Sequence, residues 1–277
     1  MFPRAPLLLS LDPRHNRDVA PVAAALVAAL LSVQAVVRLR RRGRADLAGW
    51  DRLALFALGL GLTVFALVGP LDRIADQKLL AAHMGQHVLI GDLAPALMVV
   101  AVRGPLIVFL LPAAVLAPLA RSPLRRALGV LLRPRIAFAL WAANLALWHV
   151  PWLYDHALQH QTLHDIEHAC WMICGLLLWT LLVDPGNHRR LSVGGRVALA
   201  AAMFAAGQVL TDVLVFSFTP LYPYYRGAYG LSAVTDQQLA GIVMMVEQLA
   251  TLAVCVGVLL LPRFRRAPAP SLAPTHA

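Results

Sequence analysis

The side chains of this sequence that could do chemistry include two histidine pairs with the spacing of a single helix face. His83 and His87 are four residues apart, and so are His164 and His168. Side chains at positions i and i+4 of a helix project from one stripe of its surface. The two imidazoles of each pair can therefore share one ion, and we expect a metal site.

Methionine side chains accompany both pairs. Met84 directly follows His83, and Met172 lies one turn after His168, so the second stripe reads His-His-Met. Imidazole and thioether together suit copper, and thioether especially suits Cu(I), whereas carboxylate-rich sites favour harder ions. The pattern predicts a copper site with ligands from His83, His87, His164, His168, Met84 and Met172.

Other polar side chains stand in or beside apolar stretches, where ionisable groups are costly and usually mark a site or a pathway. The only two glutamates of the chain are both of this kind. We expect supporting roles for His149, Glu167, Asp212, Met244 and Glu247. His156 and His160 continue the four-residue period, but we expect them to face solvent.

Membrane helices must position these residues. The chain has 277 residues, of which 60% are apolar and 14% charged, which excludes a soluble enzyme. Its three cysteines form no C-x-x-C pair, which argues against a disulfide framework or a zinc ribbon. We predict an all-α, polytopic bundle of seven transmembrane helices from windows that lack Lys and Arg and can cross about 30 Å of hydrocarbon: 19–37, 53–71, 79–102, 136–154, 166–183, 197–225 and 237–262.

The distribution of basic residues predicts the orientation. With the N-terminus outside and the C-terminus in the cytoplasm, 18 of the 24 Lys and Arg residues are cytoplasmic. The segment 104–120 is interrupted by three prolines, so we expect it to be interfacial or re-entrant rather than an eighth span. Anionic lipid then accounts for the net charge of +10 without any nucleic acid. The predicted divisions are an extracytoplasmic tail 1–18, a membrane domain 19–262 and a disordered cytoplasmic tail 263–277.

This topology brings the polar residues to one level of the membrane. At a rise of about 1.5 Å per residue, His83, His87, His168, Asp212 and Met244 fall roughly 5–15 Å below the outer surface. Aromatic residues near the predicted outer boundary suggest an interfacial belt formed by Trp148, Trp152, Tyr154, Tyr222, Tyr224 and Tyr225.

Four segments, in this order, resemble the CtaG family of assembly factors for caa3-type cytochrome c oxidase: AHMGQHVL (82–89), WHVPWLYD (148–155), HDIEH (164–168) and DQQLAG (236–241). The resemblance implies a seven-helix protein of the bacterial plasma membrane that acts in maturation of a haem-copper oxidase, through copper delivery on the outer side. Oxidase subunits would be its partners, and a periplasmic copper donor is compatible with this role. The matching positions are His83, Met84, Gln86, His87, His149, Tyr154, Asp155, His164, Glu167, His168, Asp236 and Gln237; Tyr154, Asp155, Asp236 and Gln237 thereby join the supporting residues.

Three functional classes remain open from the sequence. The leading hypothesis is a binding and assembly protein, not an enzyme, that holds copper transiently. The second is an intramembrane zinc metallohydrolase, because His164-x-x-Glu167-His168 matches the inverted zinc-peptidase pattern, with Glu247 as the downstream carboxylate ligand. The third is a b-type haem protein with one axial histidine from each pair.

Overall fold

The computed structural model describes residues 13–104 and 106–264, and all of the regular secondary structure within these ranges is helical, which confirms the predicted all-α class. In chain order the α-helices are α1 (Pro13–Arg41), α2 (Trp50–Val68), α3 (Pro70–Gln77), α4 (Leu80–Val88), α5 (Ala94–Ala101), α6 (Leu106–Phe109), α7 (Ala113–Arg121), α8 (Pro123–Leu131), α9 (Pro134–Trp148), α10 (Pro151–Gln159), α11 (Gln161–Val183), α12 (Val193–Phe216) and α13 (Ala233–Phe264).

Within the described residues, six helical segments are long and apolar enough to cross a membrane: Val19–Arg41, Ala45–Val68, Leu80–Ala101, Gln161–Val183, Val193–Phe216 and Ala233–Leu261. A seventh is possible by length and composition only if α8 and α9 are counted together, and this pair is bent by 75°. The count of seven and the orientation of the termini stay predictions.

Two predicted windows are longer than the helices that they contain, and in one of them a proline starts a new helix. The window 136–154 was expected to be one span, but α9 ends at Trp148 and Pro151 begins a new helix. The window 197–225 is helical only to Phe216. Proline cannot donate a backbone hydrogen bond and restricts the residue before it, so it is tolerated in the first turn and breaks a helix further in.

The Pro-rich segment 104–120 is also broken, as its prolines predict. Its helices α6 and α7 are separated at Pro112, which is the N-cap of α7, and Pro105 lies outside the described residues. At the chain ends, residues 1–12 and 265–277 of the two predicted tails are outside the described residues. Helix α1 already begins at Pro13, so residues 13–18 are helical.

A close helix crossing positions the two histidine pairs. Between α4 and α5 the chain makes a π-helical turn, Leu89–Leu93, directly before Pro95, and α11 packs against this turn. A Cβ atom added to Gly175 of α11 would collide with the carbonyl oxygen of Gly91, so only glycine permits this approach. The contact joins α11 to the segment that carries His83 and His87.

Candidate metal centre

Four histidines from two helices form one buried cluster. His83 and His87 lie on α4, and His164 and His168 lie on α11. One ring nitrogen from each lies within 4.8 Å of the other three. The Nε2 atom of His83 is 2.9 Å from that of His87 and 3.4 Å from that of His164. A tetrahedral ion with bonds of about 2.0–2.1 Å to nitrogen needs separations of roughly 3.3 Å, so small adjustments would complete its shell.

The position of α4 depends on an acidic residue from the other end of the chain. The Asp236 carboxylate, which is fully buried, accepts hydrogen bonds from the backbone N–H groups of Leu80 at 2.7 Å and Ala81 at 3.0 Å. These N–H groups are in the first turn of α4 and have no partner within the helix. Asp236 therefore serves as the cap that Leu79, at the N-cap position, does not supply.

A glutamine holds the opposite side of the same helix. The Gln86 side chain donates from Nε2 to the Ala66 carbonyl oxygen and to the Asp72 carboxylate, at 2.9 Å in both cases. Ala66 lies on α2, and Asp72 lies on α3. Gln86 and Asp236 together fix how far α4 extends and how it is rotated, and this rotation directs its two imidazoles toward α11.

Hydrogen bonding fixes the tautomer of His83. The Tyr225 hydroxyl donates its single hydrogen to the Ala75 carbonyl oxygen at 2.6 Å, so it acts as acceptor toward Nδ1 of His83 at 2.8 Å. Burial raises the pKa of the Tyr225 phenol well above its usual range, so this hydroxyl keeps its hydrogen. Nδ1 of His83 carries the ring hydrogen, and its Nε2 presents a lone pair to the centre of the cluster.

Carboxylates contact the cluster on two sides. Glu167 is 1% exposed, and its Oε1 lies 3.5 Å from Nε2 of His87. The Asp76 carboxylate lies 3.9 Å from Nε2 of His164, and its side chain is 28% exposed. A carboxyl group that ionises when a cation binds would lower the cost of holding that cation away from water. The exposure of Asp76 makes His164 the ligand nearest to an aqueous approach.

Two imidazole nitrogens have no hydrogen-bond partner among the described residues. They are Nδ1 of His87 and Nε2 of His168, and both are buried. Buried polar atoms are normally paired, so atoms that remain unpaired need an explanation. A bound cation is the natural partner for Nε2 of His168, which belongs to the group of four histidines. The donor set therefore fits a metal that prefers nitrogen ligands.

The supporting residues lie around this cluster. His149 donates from Nδ1 to the Leu145 carbonyl oxygen at 2.8 Å and faces Met84 through Nε2. The Tyr154 ring centroid is 5.3 Å from that of His83. The Gln237 side chain accepts from the backbone N–H of Leu221 at 2.7 Å, which holds the loop after α12.

Asp155 lies at the edge of the site on α10, outside the candidate spans. Its carboxylate accepts a hydrogen bond from the backbone N–H of Tyr224, which lies in the same loop as Tyr225. Partial burial raises the pKa of the Asp155 carboxyl. Asp155 thus helps to hold the loop whose Tyr225 orients His83.

Some predicted residues lie elsewhere. Asp212, expected to support the site, is exposed and accepts a hydrogen bond from Gln208 at 2.7 Å. Met172, expected to be a ligand, is partly buried against the apolar core. His156 lies on α10 and His160 is the C-cap of that helix, and neither belongs to the group of four. Their rings contact each other, and His160 is exposed.

The aromatic belt predicted from sequence is largely wrong. Tyr154, Tyr222 and Tyr225 are at most 3% exposed, and Trp148 is 5% exposed, so these rings are inside the protein. Tyr222 and Tyr225 donate hydrogen bonds to backbone carbonyl oxygens there. Buried tyrosines need such partners, and the sequence alone does not reveal them. Trp152, at 72% exposed, does suit a lipid or interfacial position.

Sequence reasoning missed the roles of Asp76 and Tyr225. Asp76 lies on the short helix α3 between two candidate spans, where an acidic residue is ordinary. Tyr225 follows Tyr224 in a loop, and nothing in the local pattern separates the two. Their contacts with His164 and His83 arise from parts of the chain about 90 and 140 residues apart.

The geometry argues against the two alternative cofactors. For the hydrolase, a catalytic zinc has three protein ligands and one open position, whereas here four imidazoles are available. Glu247, the proposed carboxylate ligand, lines a cavity together with Asp92 and is not one of the group of four. For haem, nitrogens 2.9 and 3.4 Å apart leave no space between the rings for a macrocycle.

Comparison with known proteins agrees with the motifs. No curated protein and no solved structure is significantly similar to this chain. The family model described as cytochrome c oxidase caa3 assembly factor (Caa3_CtaG) matches residues 30–266, which include the whole histidine cluster and its capping residue Asp236. The chain therefore belongs to the Caa3_CtaG family of cytochrome c oxidase assembly factors.

Proposed function

We propose that this protein binds a copper ion at the four-histidine cluster and delivers it to cytochrome c oxidase during assembly. The observation that carries the proposal is the meeting of four buried ring nitrogens within 4.8 Å of one another in a member of an oxidase assembly family. Copper is the cargo of the protein, which loads the ion and then releases it to an oxidase subunit in the same membrane.

The ligand chemistry supports copper. Neutral imidazoles bind copper and zinc well, and the chain offers no thiolate in the cluster. The neighbouring Met84 thioether favours copper over zinc, since thioethers are ligands for soft ions. The fixed Nε2 lone pair of His83 reduces the reorganisation that binding would otherwise require.

Release requires that a ligand leave, because four nitrogens fill a tetrahedral shell. His164 is best placed to leave first, since the partly exposed Asp76 lies beside it. Exchange of that imidazole for a ligand of the recipient protein would open the shell without exposing the other three. A closed shell with exchangeable ligands suits transfer rather than catalysis, so we propose a non-enzymatic role.

The proposed location is the bacterial plasma membrane, with the cluster toward the periplasmic side. His83 and His164 each lie three residues into their helices, so both are near the same end of the bundle. At about 1.5 Å per residue this corresponds to a depth of roughly 5 Å below the helix ends. Copper from a periplasmic donor could reach this depth from water.

Metal analysis of the purified protein tests the proposal. The double variants His83→Ala/His87→Ala and His164→Ala/His168→Ala should each lose the copper bound at the cluster, because two of its four ligands are absent. Cells that carry either variant should also lose caa3 oxidase activity while the protein remains in the membrane.

The matched control is His156→Ala/His160→Ala, which removes another two histidines four residues apart, at the end of the neighbouring helix α10. This variant should retain the wild-type copper content and oxidase activity. Equal copper content in the control and in both cluster variants would overturn the proposal. So would stoichiometric zinc with no copper in protein taken from copper-replete cells.

A further inference from the structure

A small cavity adjoins the four-histidine cluster and contains the side chains of a second, softer ligand set. Its volume is about 50 Å³, and its wall includes Met84, His87, His149, Met203 and Met244. A single water needs roughly 10–15 Å³ by this measure, so a small ion with a water molecule fits. His87 belongs to both the cavity and the cluster.

The contact between His149 and Met84 is unusual for a buried pair. Nδ1 of His149 donates its hydrogen to the Leu145 carbonyl oxygen at 2.8 Å. In the neutral ring, Nε2 therefore has a bare lone pair, and it faces Sδ of Met84 at 3.4 Å. A thioether has no hydrogen to donate, so two lone pairs meet without a proton between them.

A cation resolves this contact. With bonds of about 2.0 Å to nitrogen and about 2.3 Å to sulfur, a separation of 3.4 Å corresponds to an angle of roughly 105° at the metal. This is close to the tetrahedral value. Nitrogen and sulfur are thus already spaced as two ligands of one ion, and Met244 on the same cavity wall supplies a second thioether.

We propose that Met84, His149 and Met244 form a second metal site, specific for Cu(I), beside the four-histidine cluster. The inference rests on the proposed function and extends it. The copper ion that binds the cluster would also occupy the second site, before or after it binds the cluster. Thioether ligands stabilise the reduced ion, whereas four imidazoles accept either Cu(I) or zinc. The second site thereby makes the pair of sites selective for copper.

Movement between the sites needs no passage through lipid or water. Met84 is adjacent to His83 in sequence and lies three residues before His87, so the ligands of both sites are on the same helix α4. His87 lines the cavity and belongs to the cluster. An ion can exchange the other imidazoles for sulfur ligands while it stays bound to His87.

Two carboxyl groups also line the cavity and could compensate the charge of a monovalent cation among uncharged ligands. Asp92 and Glu247 line the same cavity as Met84. The Asp92 carboxylate accepts hydrogen bonds from Trp179 Nε1 at 2.5 Å and from Thr251 Oγ1 at 3.1 Å. These donors and a bound cation both favour the ionised form of Asp92, which would offset the charge of Cu(I) in apolar surroundings.

X-ray absorption of the purified full-length protein, loaded with Cu(I) under anaerobic conditions, tests the second site. Wild-type protein should bind two equivalents of Cu(I) in competition with a chromogenic chelator, and its copper should show a sulfur scatterer at about 2.3 Å in addition to nitrogen. Copper with nitrogen scatterers alone would overturn the inference, and this measurement needs no variant.

The variants Met84→Leu and Met244→Leu assign the sulfur. Each should reduce the sulfur signal, and the two together should abolish it and lower the stoichiometry from two equivalents to one. Leucine conserves the volume of methionine, so the packing is kept. The matched control is Met98→Leu, at a buried methionine that packs near Gly59 and should leave both readings unchanged. An unchanged sulfur signal in the double variant would refute the site.

The variant His164→Ala/His168→Ala separates this inference from the proposed function. It removes two cluster ligands and none of the three residues of the second site, so the protein should retain one equivalent of Cu(I) with the sulfur scatterer. Retention of two equivalents would refute the cluster as a copper site and leave the sulfur result intact. Loss of both equivalents, with the fold intact by circular dichroism, would refute an independent second site.

Discussion

The substitution Tyr225→Phe tests whether the orientation of His83 controls metal affinity. It removes one oxygen, which accepts the Nδ1 hydrogen of His83 at 2.8 Å and donates to the Ala75 carbonyl oxygen at 2.6 Å. Without that oxygen, Nδ1 of His83 loses the hydroxyl acceptor that lies 2.8 Å from it. The ring can then move its hydrogen to Nε2, where it donates to His87 at 2.9 Å and blocks the ligand atom.

The magnitude follows from the hydrogen bond that is lost. Partners that orient a metal-binding histidine typically contribute 10- to 100-fold to affinity, or about 1.4–2.7 kcal/mol. The cost of leaving a buried donor unpaired, about 1–3 kcal/mol, lies in the same range. We therefore expect Tyr225→Phe to weaken copper binding by about 10- to 100-fold.

The assay is a competition titration of the purified protein with a chelator of known copper affinity. Tyr224→Phe is the matched control, since its ring contacts the Tyr225 ring but the substitution leaves the His83 contact in place. Thermal unfolding of the metal-free proteins separates loss of stability from loss of affinity. An affinity for Tyr225→Phe within twofold of wild type would show that the Tyr225 hydroxyl does not set the tautomer of His83.

Three further predictions concern the residues around the cluster. Asp236→Ala leaves two N–H groups of α4 without their acceptor and should destabilise the protein by about 2–4 kcal/mol, with Asp236→Asn intermediate. The free energy of unfolding is measured by denaturation in detergent. Equal stability of the Ala variant and the wild type would contradict the capping role. Glu167→Gln should retain most of the bound copper and only partly reduce oxidase assembly, whereas complete loss of function with full metal content would favour a hydrolase. Burial raises the pKa of Asp155 in the folded state, so the charged form of its carboxyl group disfavours folding as pH rises. Asp155→Asn should therefore raise the melting temperature more at pH 8 than at pH 4. A gain in melting temperature that is independent of pH would refute this role of Asp155.

The sequence predicted the histidine ligands of the site better than the helix boundaries and loops that position them. The i,i+4 spacing of His83/His87 and His164/His168 depends only on helix geometry, which the chain carries locally. The same reasoning was wrong for Met172. Its spacing of four residues from His168 continues the stripe along the helix but does not show which part of the protein packs against that end of the stripe. Met172 instead packs on the apolar core.

Helix boundaries were predicted less well where proline and aromatic residues compete with an apolar pattern. The stretch 136–154 reads as one hydrophobic window, but Pro151 restarts the chain as α10 and turns His149 into the cavity. The tyrosines of the loop after α12 resemble interfacial residues, and their hydroxyls are satisfied inside the protein. Hydropathy cannot distinguish lipid from protein interior, since both are apolar.

By itself the sequence determined that this chain is helical, that it is apolar enough to span a membrane several times, and that two helices each carry a pair of imidazoles on one face. Only the tertiary structure decided that the pairs face each other, that Asp236 caps α4 and that Tyr225 directs a lone pair of His83 inward. The physical reason is the distance along the sequence between the residues that interact. Periodicity and hydropathy are properties of neighbouring residues, whereas each of these contacts joins segments about 80 to 160 residues apart, whose meeting depends on how whole helices pack.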